Sequence, residues 1–227
     1  MLRAIIFDFN GILVDDEPIH LEMFQRVLRE EGISLSQKDY YEHYLGMDDR
    51  SCFKAAYAEH GRRLDEGALA QLVRRKAAYY QQALQKGLAV FPGVENLIVP
   101  LAASYPLAIA SGALRNEIEE ILQTIGLRKY FQVIVSAEDV SEGKPNPEIF
   151  LKALTLLNPL KLRSGLISPA ECLVIEDSKE GILGAHRAGM RCLAVTNSHA
   201  APLLAEADAV VPSLNGVTIA FLEKLFA

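Results

Sequence analysis

The sequence predicts an α/β fold: a doubly wound parallel-sheet (Rossmann-like) core with an inserted all-helical cap domain. Three observations lead to this fold class. Six short β-branched runs recur along the chain, and helix-length amphipathic segments alternate with them. One gap of about ninety residues is far longer than a single crossover needs. Half of the 227 residues are hydrophobic, so the chain can bury a sizeable core.

The six runs predict the strands of the sheet. Each is almost continuously apolar and is closed by a polar or glycine-containing turn. Strands of this kind are buried on both faces, and right-handed crossovers put helices on both faces, so the runs predict a parallel sheet. In chain order they are LRAIIFDF, YPLAIASG, FQVIVSA, ECLVIEDS, MRCLAVTNS and ADAVVPS.

The long gap after the first strand predicts an inserted domain. The segment PIHLEMFQRVLREEG begins with proline, repeats apolar residues at helical spacing and stops at Gly32. The segments SQKDYYEHYLG and DEGALAQLVRRKAAYYQQALQKG have the same character, and FPG at 91–93 returns the chain to the core. We therefore predict a helical cap at residues 16–88, joined by two hinges to a catalytic core of residues 1–15 and 89–227.

Composition excludes several functions. A net charge of −6 without an extended basic stripe argues against a nucleic-acid surface. Apolar runs are too short for a transmembrane span or a signal peptide, so we expect a cytoplasmic protein without a membrane partner. Three cysteines without a CxxC pair are expected to be buried thiols. Small molecules are the expected partners, and the chain is expected to be a monomer or a weak homodimer.

Chemically reactive side chains follow the predicted strands. In a doubly wound sheet the ligand lies beyond the carboxyl ends of the strands, so residues at those ends are expected to converge. The candidates are Asp8 after the first strand, Ser111 and Gly112 after the second, Glu176 and Asp177 after a later one, and Lys144 in the loop EGKPNPEIF.

These residue types suit phosphoryl transfer. A carboxylate can act as the nucleophile and become an aspartyl phosphate. Acidic side chains and a backbone carbonyl suit Mg²⁺, a hard ion that offsets phosphate charge. A hydroxyl and a lysine can bind the non-bridging oxygens, where charge lies in the transition state. The chain has no Walker GxxxxGK[ST] loop, which disfavours a P-loop nucleotide.

Four segments resemble the four ordered motifs of the haloacid dehalogenase (HAD) superfamily: FDFNGILVDDEP, IASGALRN, EGKPNPEIF and VIEDSKEGILGAHRAGM. The cap position resembles the β-phosphoglucomutase and small-molecule phosphatase branch, and the likeness covers essentially the whole chain. It implies that Asp8 is the nucleophile. The implied phosphate ligands are Ser111 and Lys144, beside Gly112 and Asn146, and the implied Mg²⁺ ligands are Asp8, Asp177 and the carbonyl of Asn10, assisted by Glu176.

Asn10 departs from the family pattern. Two residues after the nucleophile the family usually has a second aspartate, which acts as general acid and base. The backbone carbonyl of Asn10 can still bind a metal, but its amide cannot exchange a proton near neutral pH. Four explanations remain open: an engineered trap, a natural loss of activity, a relocated acid, or a damaged reading of an aspartate. Asp16 is the candidate for relocation, since the family more often has Ser or Thr there.

Three residues of the predicted cap match substrate contacts of β-phosphoglucomutases. They are His20, Arg50 and Lys76, for which the alternative is an ordinary solvated or packing role. The resemblance implies a Mg²⁺-dependent phosphatase or phosphomutase that acts on a small phosphorylated metabolite, expected to be a sugar phosphate, through an aspartyl phosphate on Asp8. The alternative is a catalytically weakened phosphosugar-binding protein of the same fold.

Overall fold

The computed structural model describes residues 1–44, 47–84, 88–159 and 165–227. The chain forms two compact units. The first, which we call the core unit, contains Met1–Asp15 and Ala89–Ala227, and the second, the helical unit, contains Asp16–Leu88. Within the described ranges, no helix has both the length and the apolar character needed to cross a membrane.

The core unit is built on a parallel six-stranded sheet. In chain order the described strands of this unit are β1 (Ala4–Phe7), β2 (Val14–Asp15), β3 (Ala89–Val90), β4 (Leu107–Ala110), β5 (Val133–Val135), β6 (Cys172–Glu176), β7 (Arg191–Val195) and β8 (Ala209–Val211), and all except β2 and β3 belong to the six-stranded sheet. The sheet has the order β5-β4-β1-β6-β7-β8, and every pairing in it is parallel. The predicted fold class and the six predicted strands are confirmed.

A separate antiparallel ribbon pairs β2 with β3. The sequence pattern does not predict this ribbon, because two residues in each strand are too few to show an alternation of apolar and polar side chains.

Helices cover the sheet and bury its side chains. They are α5 (Val94–Ser104), α6 (Arg115–Thr124), α7 (Glu148–Leu157), α8 (Lys179–Arg187) and α9 (Ile219–Lys224). Ile6 on β1 and Val174 on β6 are fully buried in a cluster that includes Phe150 of α7 and Ile182 of α8. All four residues of β1 are buried, as expected of a central strand. Since β4 and β6 flank β1, the carboxyl ends of these three strands are neighbours.

The helical unit contains α1 (Glu17–Glu30), α2 (Gln37–Asp39), a π-helical turn (Tyr40–Tyr44), α3 (Asp49–Glu59) and α4 (Glu66–Leu84). Its helices pack around an aromatic cluster that includes Phe24, Phe53 and Tyr44. The predicted helices around α1 and α4 are confirmed, whereas α3 follows from no predicted segment because its sequence is mostly small and polar. Residues 45–46 and 85–87, at the ends of two predicted helical segments, lie outside the described residues.

Candidate active site

Three buried carboxylates lie at the carboxyl ends of two neighbouring strands. Asp8 follows β1, Glu176 ends β6, and Asp177 comes directly after it. One carboxylate oxygen from each lies within 4.8 Å of the others. The parallel pairing of β1 with β6 brings them together, because it places Phe7 beside Ile175 immediately before the acids.

Lys144 joins this cluster from the loop that precedes α7. Its Nζ donates hydrogen bonds to Asp8 Oδ1 at 2.6 Å and to Glu176 Oε1 at 2.5 Å. Two of the three carboxylates therefore share the lysine ammonium, and the three negative charges of the cluster outnumber this one positive charge. Such a buried acidic pocket suits a further cation, since unpaired buried charge is costly.

The pKa values in the cluster reflect this crowding. Burial, together with the nearby charge of Glu176, raises the pKa of Asp8 to about 6 against the lowering effect of Lys144. Burial and the charges of Glu176 and Asp8 hold the pKa of Asp177 well above its ordinary value. Burial alone would lower the pKa of Lys144, but the ion pairs with Asp8 and Glu176 outweigh it and raise that pKa.

Glu176 is anchored at the N-terminus of α8. Its Oε2 accepts hydrogen bonds from the backbone N–H groups of Asp177 at 3.0 Å and Ser178 at 3.1 Å, and from the Ser178 hydroxyl at 2.8 Å. Gly181 on α8 leaves room for this carboxylate, since a Cβ there would lie 1.9 Å from the Glu176 carboxyl carbon. Positive partial charge at the start of α8 favours an anion at this position.

Ser111 and Asn10 meet on the neighbouring side of β1. Ser111 follows β4, is buried, and lies with its Oγ 3.5 Å from Asn10 Oδ1, at the long limit of a hydrogen bond. The same Oγ accepts a hydrogen bond from the backbone N–H of Ala113 at 3.2 Å, while Gly112 between them is exposed. The structure thus brings Ser111 next to Asn10, two residues from Asp8.

Asn146 has its contacts within its own loop. Its side-chain oxygen accepts a hydrogen bond from the backbone N–H of Glu148 at 2.9 Å, and its amide donates to Glu142 Oε2 at 2.6 Å. These bonds order the loop that carries Lys144 and begin α7. Substrate binding by Asn146 and Gly112 stays a prediction.

His20 and Lys76 belong to a polar network inside the helical unit. Lys76 is buried, and its Nζ contacts His20 Nδ1 at 2.7 Å and forms an ion pair with Asp49. The His20 ring stacks on Tyr80 with a centroid separation of 4.5 Å. Buried polar groups need partners of this kind, so the network has a sufficient structural explanation. A role in substrate binding stays a prediction.

Arg50 occupies a different setting from Lys76. It is exposed near the start of α3 and pairs with Glu66, which also receives a 2.9 Å bond from Lys54. Exposed ion pairs of this type contribute little to stability. We therefore expect substitution of Arg50 to leave the fold intact, so that its predicted contact with substrate can be tested separately from stability.

Asp16 is the predicted place of a relocated acid. It is buried, its Oδ2 accepts a 2.6 Å hydrogen bond from the Tyr80 hydroxyl, and it lies 3.2 Å from His20 Nε2. Burial by itself would raise the pKa of Asp16, but the bonds from His20 and Tyr80 outweigh it and hold the pKa below its ordinary value. A general acid at neutral pH needs a raised pKa. The contacts of Asp16 thus favour a structural role.

Replacing Lys76 by Met tests the importance of the buried ion pair. Lys76 Nζ lies 4.1 Å from the centre of the Phe24 ring. Methionine keeps an apolar side chain of similar length beside this ring, but it leaves Asp49 and His20 without the ammonium. We expect the free energy of unfolding to fall by about 2–3 kcal/mol in urea denaturation. Arg50→Met, the matched control, is expected to change it by less than about 1 kcal/mol. Equal effects of the two substitutions would show that the Lys76 network contributes no special stability.

The structure adds a loop after β7 that the sequence analysis does not place at the site. Asn197 and Ser198, after β7, reach Gly11 and Asp177 respectively. The detectable signal is the polar tripeptide NSH at the carboxyl end of a strand adjacent to β6. Polar residues in that position are expected near the ligand edge of the sheet.

The fold and this cluster define a class of α/β protein whose acidic site lies at the carboxyl edge of a parallel sheet, here with a separate helical unit inserted after β2. Residues 5–195 match the model of the haloacid dehalogenase-like hydrolase family, and the chain belongs to that family. The resemblance of its four motifs is thereby confirmed.

Relatives extend over nearly the whole chain. Validoxylamine A 7'-phosphate phosphatase from Streptomyces hygroscopicus subsp. limoneus is 30% identical over 218 residues, which cover 96% of each chain. β-Phosphoglucomutase from Bacillus subtilis (strain 168) is 27% identical over 228 residues, 98% of this chain and 95% of the relative. An Asp-to-Asn variant of CbbY from Rhodobacter sphaeroides, crystallised with xylulose-(1,5)bisphosphate, has a TM-score of 0.84 and 25% identity over 98% of this chain and 99% of that chain.

Proposed function

We propose that this HAD-type enzyme transfers the phosphoryl group of a small phosphorylated metabolite, a sugar phosphate, to Asp8. The observation that carries the proposal is the cluster of Asp8, Lys144, Glu176 and Asp177 at the carboxyl ends of β1 and β6. Relatives support the substrate class, because one is named for a phosphoglucose and another was crystallised with a xylulose bisphosphate.

Each residue has a distinct part in the proposed reaction. An Asp8 oxygen attacks phosphorus, an O–P bond forms, and the bond to the sugar oxygen breaks, which yields an aspartyl phosphate and a sugar alkoxide that needs a proton. Lys144, which lies 2.6 Å from Asp8, and the Ser111 hydroxyl bind the non-bridging oxygens. Water or a second sugar hydroxyl then takes the phosphoryl group from Asp8, which distinguishes a phosphatase from a mutase.

The acidic cluster fits Mg²⁺. Three carboxylate oxygens lie close enough to share one ion, and the hard oxygen donors match its preference. Asp8, Asp177 and the backbone carbonyl of Asn10 would hold the ion, with Glu176 beside them. When bound, Mg²⁺ supplies positive charge that balances the carboxylates and the phosphate.

Asn10 favours a second candidate function. The leaving alkoxide and the attacking water both need a proton-transfer group, and the neutral amide of Asn10 supplies none. A protein with this site would bind phosphosugars and turn them over slowly, which suits a sensor or a binding partner. Steady-state turnover on a panel of phosphosugars, with Asn10 verified by intact mass, separates the two functions: turnover comparable to ordinary enzymes supports catalysis, and binding without turnover supports the alternative.

A phosphate mimic tests the role of Asp8 whichever of these functions is correct. Fluoroberyllate with Mg²⁺ is expected to raise the melting temperature, since a ligand at about 100 times its Kd adds about 2.7 kcal/mol to the stability of the native state. Asp8→Asn is expected to lose this stabilisation, because fluoroberyllate binds through a carboxylate oxygen. Glu206→Gln, an exposed change of the same chemical type, is the control. Equal stabilisation of wild type and Asp8→Asn would remove Asp8 from the role of nucleophile.

A further inference from the structure

The loop after β7 connects the two strand ends that carry the acidic cluster. Asn197 Nδ2 donates a 2.7 Å hydrogen bond to the backbone carbonyl of Gly11, in the turn after β1. Ser198 Oγ donates to Asp177 Oδ2, and His199 Nδ1 lies 3.0 Å from the Asp177 backbone carbonyl. Three consecutive side chains thus reach both halves of the site.

Gly11 shows how closely these groups approach each other. A Cβ at this position would lie 1.9 Å from Asp177 Oδ2 and 2.8 Å from Ser198 Oγ. Gly11 also has a φ of +75°, which strongly favours glycine. The Asp177 oxygen that faces the turn is therefore held between the Gly11 backbone and the Ser198 hydroxyl, with no space for another side chain.

The engaged oxygen determines what Asp177 can offer to a ligand. The bond from Ser198 to Oδ2 sets the orientation in which the Asp177 carboxylate faces the cation site that it shares with Asp8 and Glu176. A hydroxyl that donates to a carboxylate fixes the rotation of that carboxylate. Groups that bond to metal ligands in this way commonly change metal affinity 10- to 100-fold when they are removed.

We propose that Ser198 is a positioning residue for the divalent cation: its hydroxyl fixes the Asp177 carboxylate against the Gly11 turn and so sets the Mg²⁺ affinity of the site. This role rests on the proposed function, since it assumes that the acidic cluster holds Mg²⁺. Ser198 itself is exposed, so we expect the loss of its hydroxyl to leave the fold intact. Water can partly replace the lost donor, which places the expected effect at the lower end of the range.

Mg²⁺ binding without substrate tests this role independently of turnover. By isothermal titration calorimetry we expect Ser198→Ala to raise the Mg²⁺ Kd about tenfold and Ser198→Thr, which keeps the hydroxyl, to restore affinity to within about threefold of wild type. Ser213→Ala is the matched control, because the Ser213 hydroxyl bonds to the Pro92 carbonyl and to the backbone N–H of Asn215 rather than to a carboxylate of the acidic cluster. Melting temperatures in EDTA are expected to agree for all four proteins.

The outcomes separate this role from the proposed function. Mg²⁺ binding by wild type with an unchanged Kd in Ser198→Ala would overturn the role of Ser198 and leave the proposed function standing. A wild type that does not bind Mg²⁺ would overturn both. If Ser198→Ala is unfolded in EDTA, Ser198→Cys takes its place, because cysteine has a similar size and a weaker hydrogen-bond donor. A raised Mg²⁺ Kd in the folded Cys variant supports the role of Ser198, and an unchanged Kd overturns it.

Discussion

Asn10→Asp is expected to increase steady-state turnover of a good sugar phosphate by about 10²–10⁴-fold, the range typical of a positioned general acid and base. The site already has the geometry for such a group, because the Asn10 side-chain oxygen lies 3.5 Å from the Ser111 hydroxyl and its residue is two positions from Asp8. Position 10 is partly buried and two residues from Asp8, so desolvation and like charge would raise the pKa of the substituted carboxyl in the direction that suits proton transfer.

The same substitution is expected to have an opposite effect on stability. A further carboxylate two residues from Asp8 adds negative charge near the acidic cluster, so the melting temperature in EDTA should fall and Mg²⁺ should restore it. Asn215→Asp, an exposed change of the same chemical type, controls for added charge alone. Equal turnover of wild type and Asn10→Asp on a good substrate would mean that another group already supplies the proton.

Asp8→Asn is expected to abolish phosphoryl transfer, with a loss of roughly 10⁴-fold or more, as removal of a nucleophile usually causes. The measurement is best made in the Asn10→Asp background, where turnover is large enough to show such a loss. In the natural Asn10 background, intact mass spectrometry after mixing with substrate should find one added phosphoryl group on the wild type and none on Asp8→Asn.

Unfolding cannot account for the loss expected of Asp8→Asn. Removal of the Asp8 charge relieves its repulsion with Glu176, and Lys144 keeps its 2.5 Å bond to Glu176. The melting temperature in EDTA is therefore expected to stay the same or rise. Phosphorylation of Asp8→Asn to the same extent as wild type would place the covalent intermediate on another residue.

Local sequence determines the core strands and the polar residues that end them. Ile5 and Ile6 belong to an apolar run that forms a buried strand in almost any α/β context, and the polar Asp8 after it marks the ligand edge of the sheet. The same reasoning finds Ser111 after β4 and Glu176 at the end of β6. These assignments need only neighbouring residues, because strand pattern and strand end are local properties.

Tertiary structure decides which of these groups meet and what each is bound to. Lys144 lies 136 positions from Asp8 along the chain, and only the fold brings its Nζ to 2.6 Å from that carboxylate. Asp16 looks like a surface acid in the sequence, yet Tyr80, 64 positions later, bonds to it in the helical unit. Ser198 shows the same limit, since its contact with Asp177 depends on the placement of β7 beside β6. Periodicity reports which face of an element is buried, whereas hydrogen-bond partners from distant segments depend on packing, and so they appear only in the folded chain.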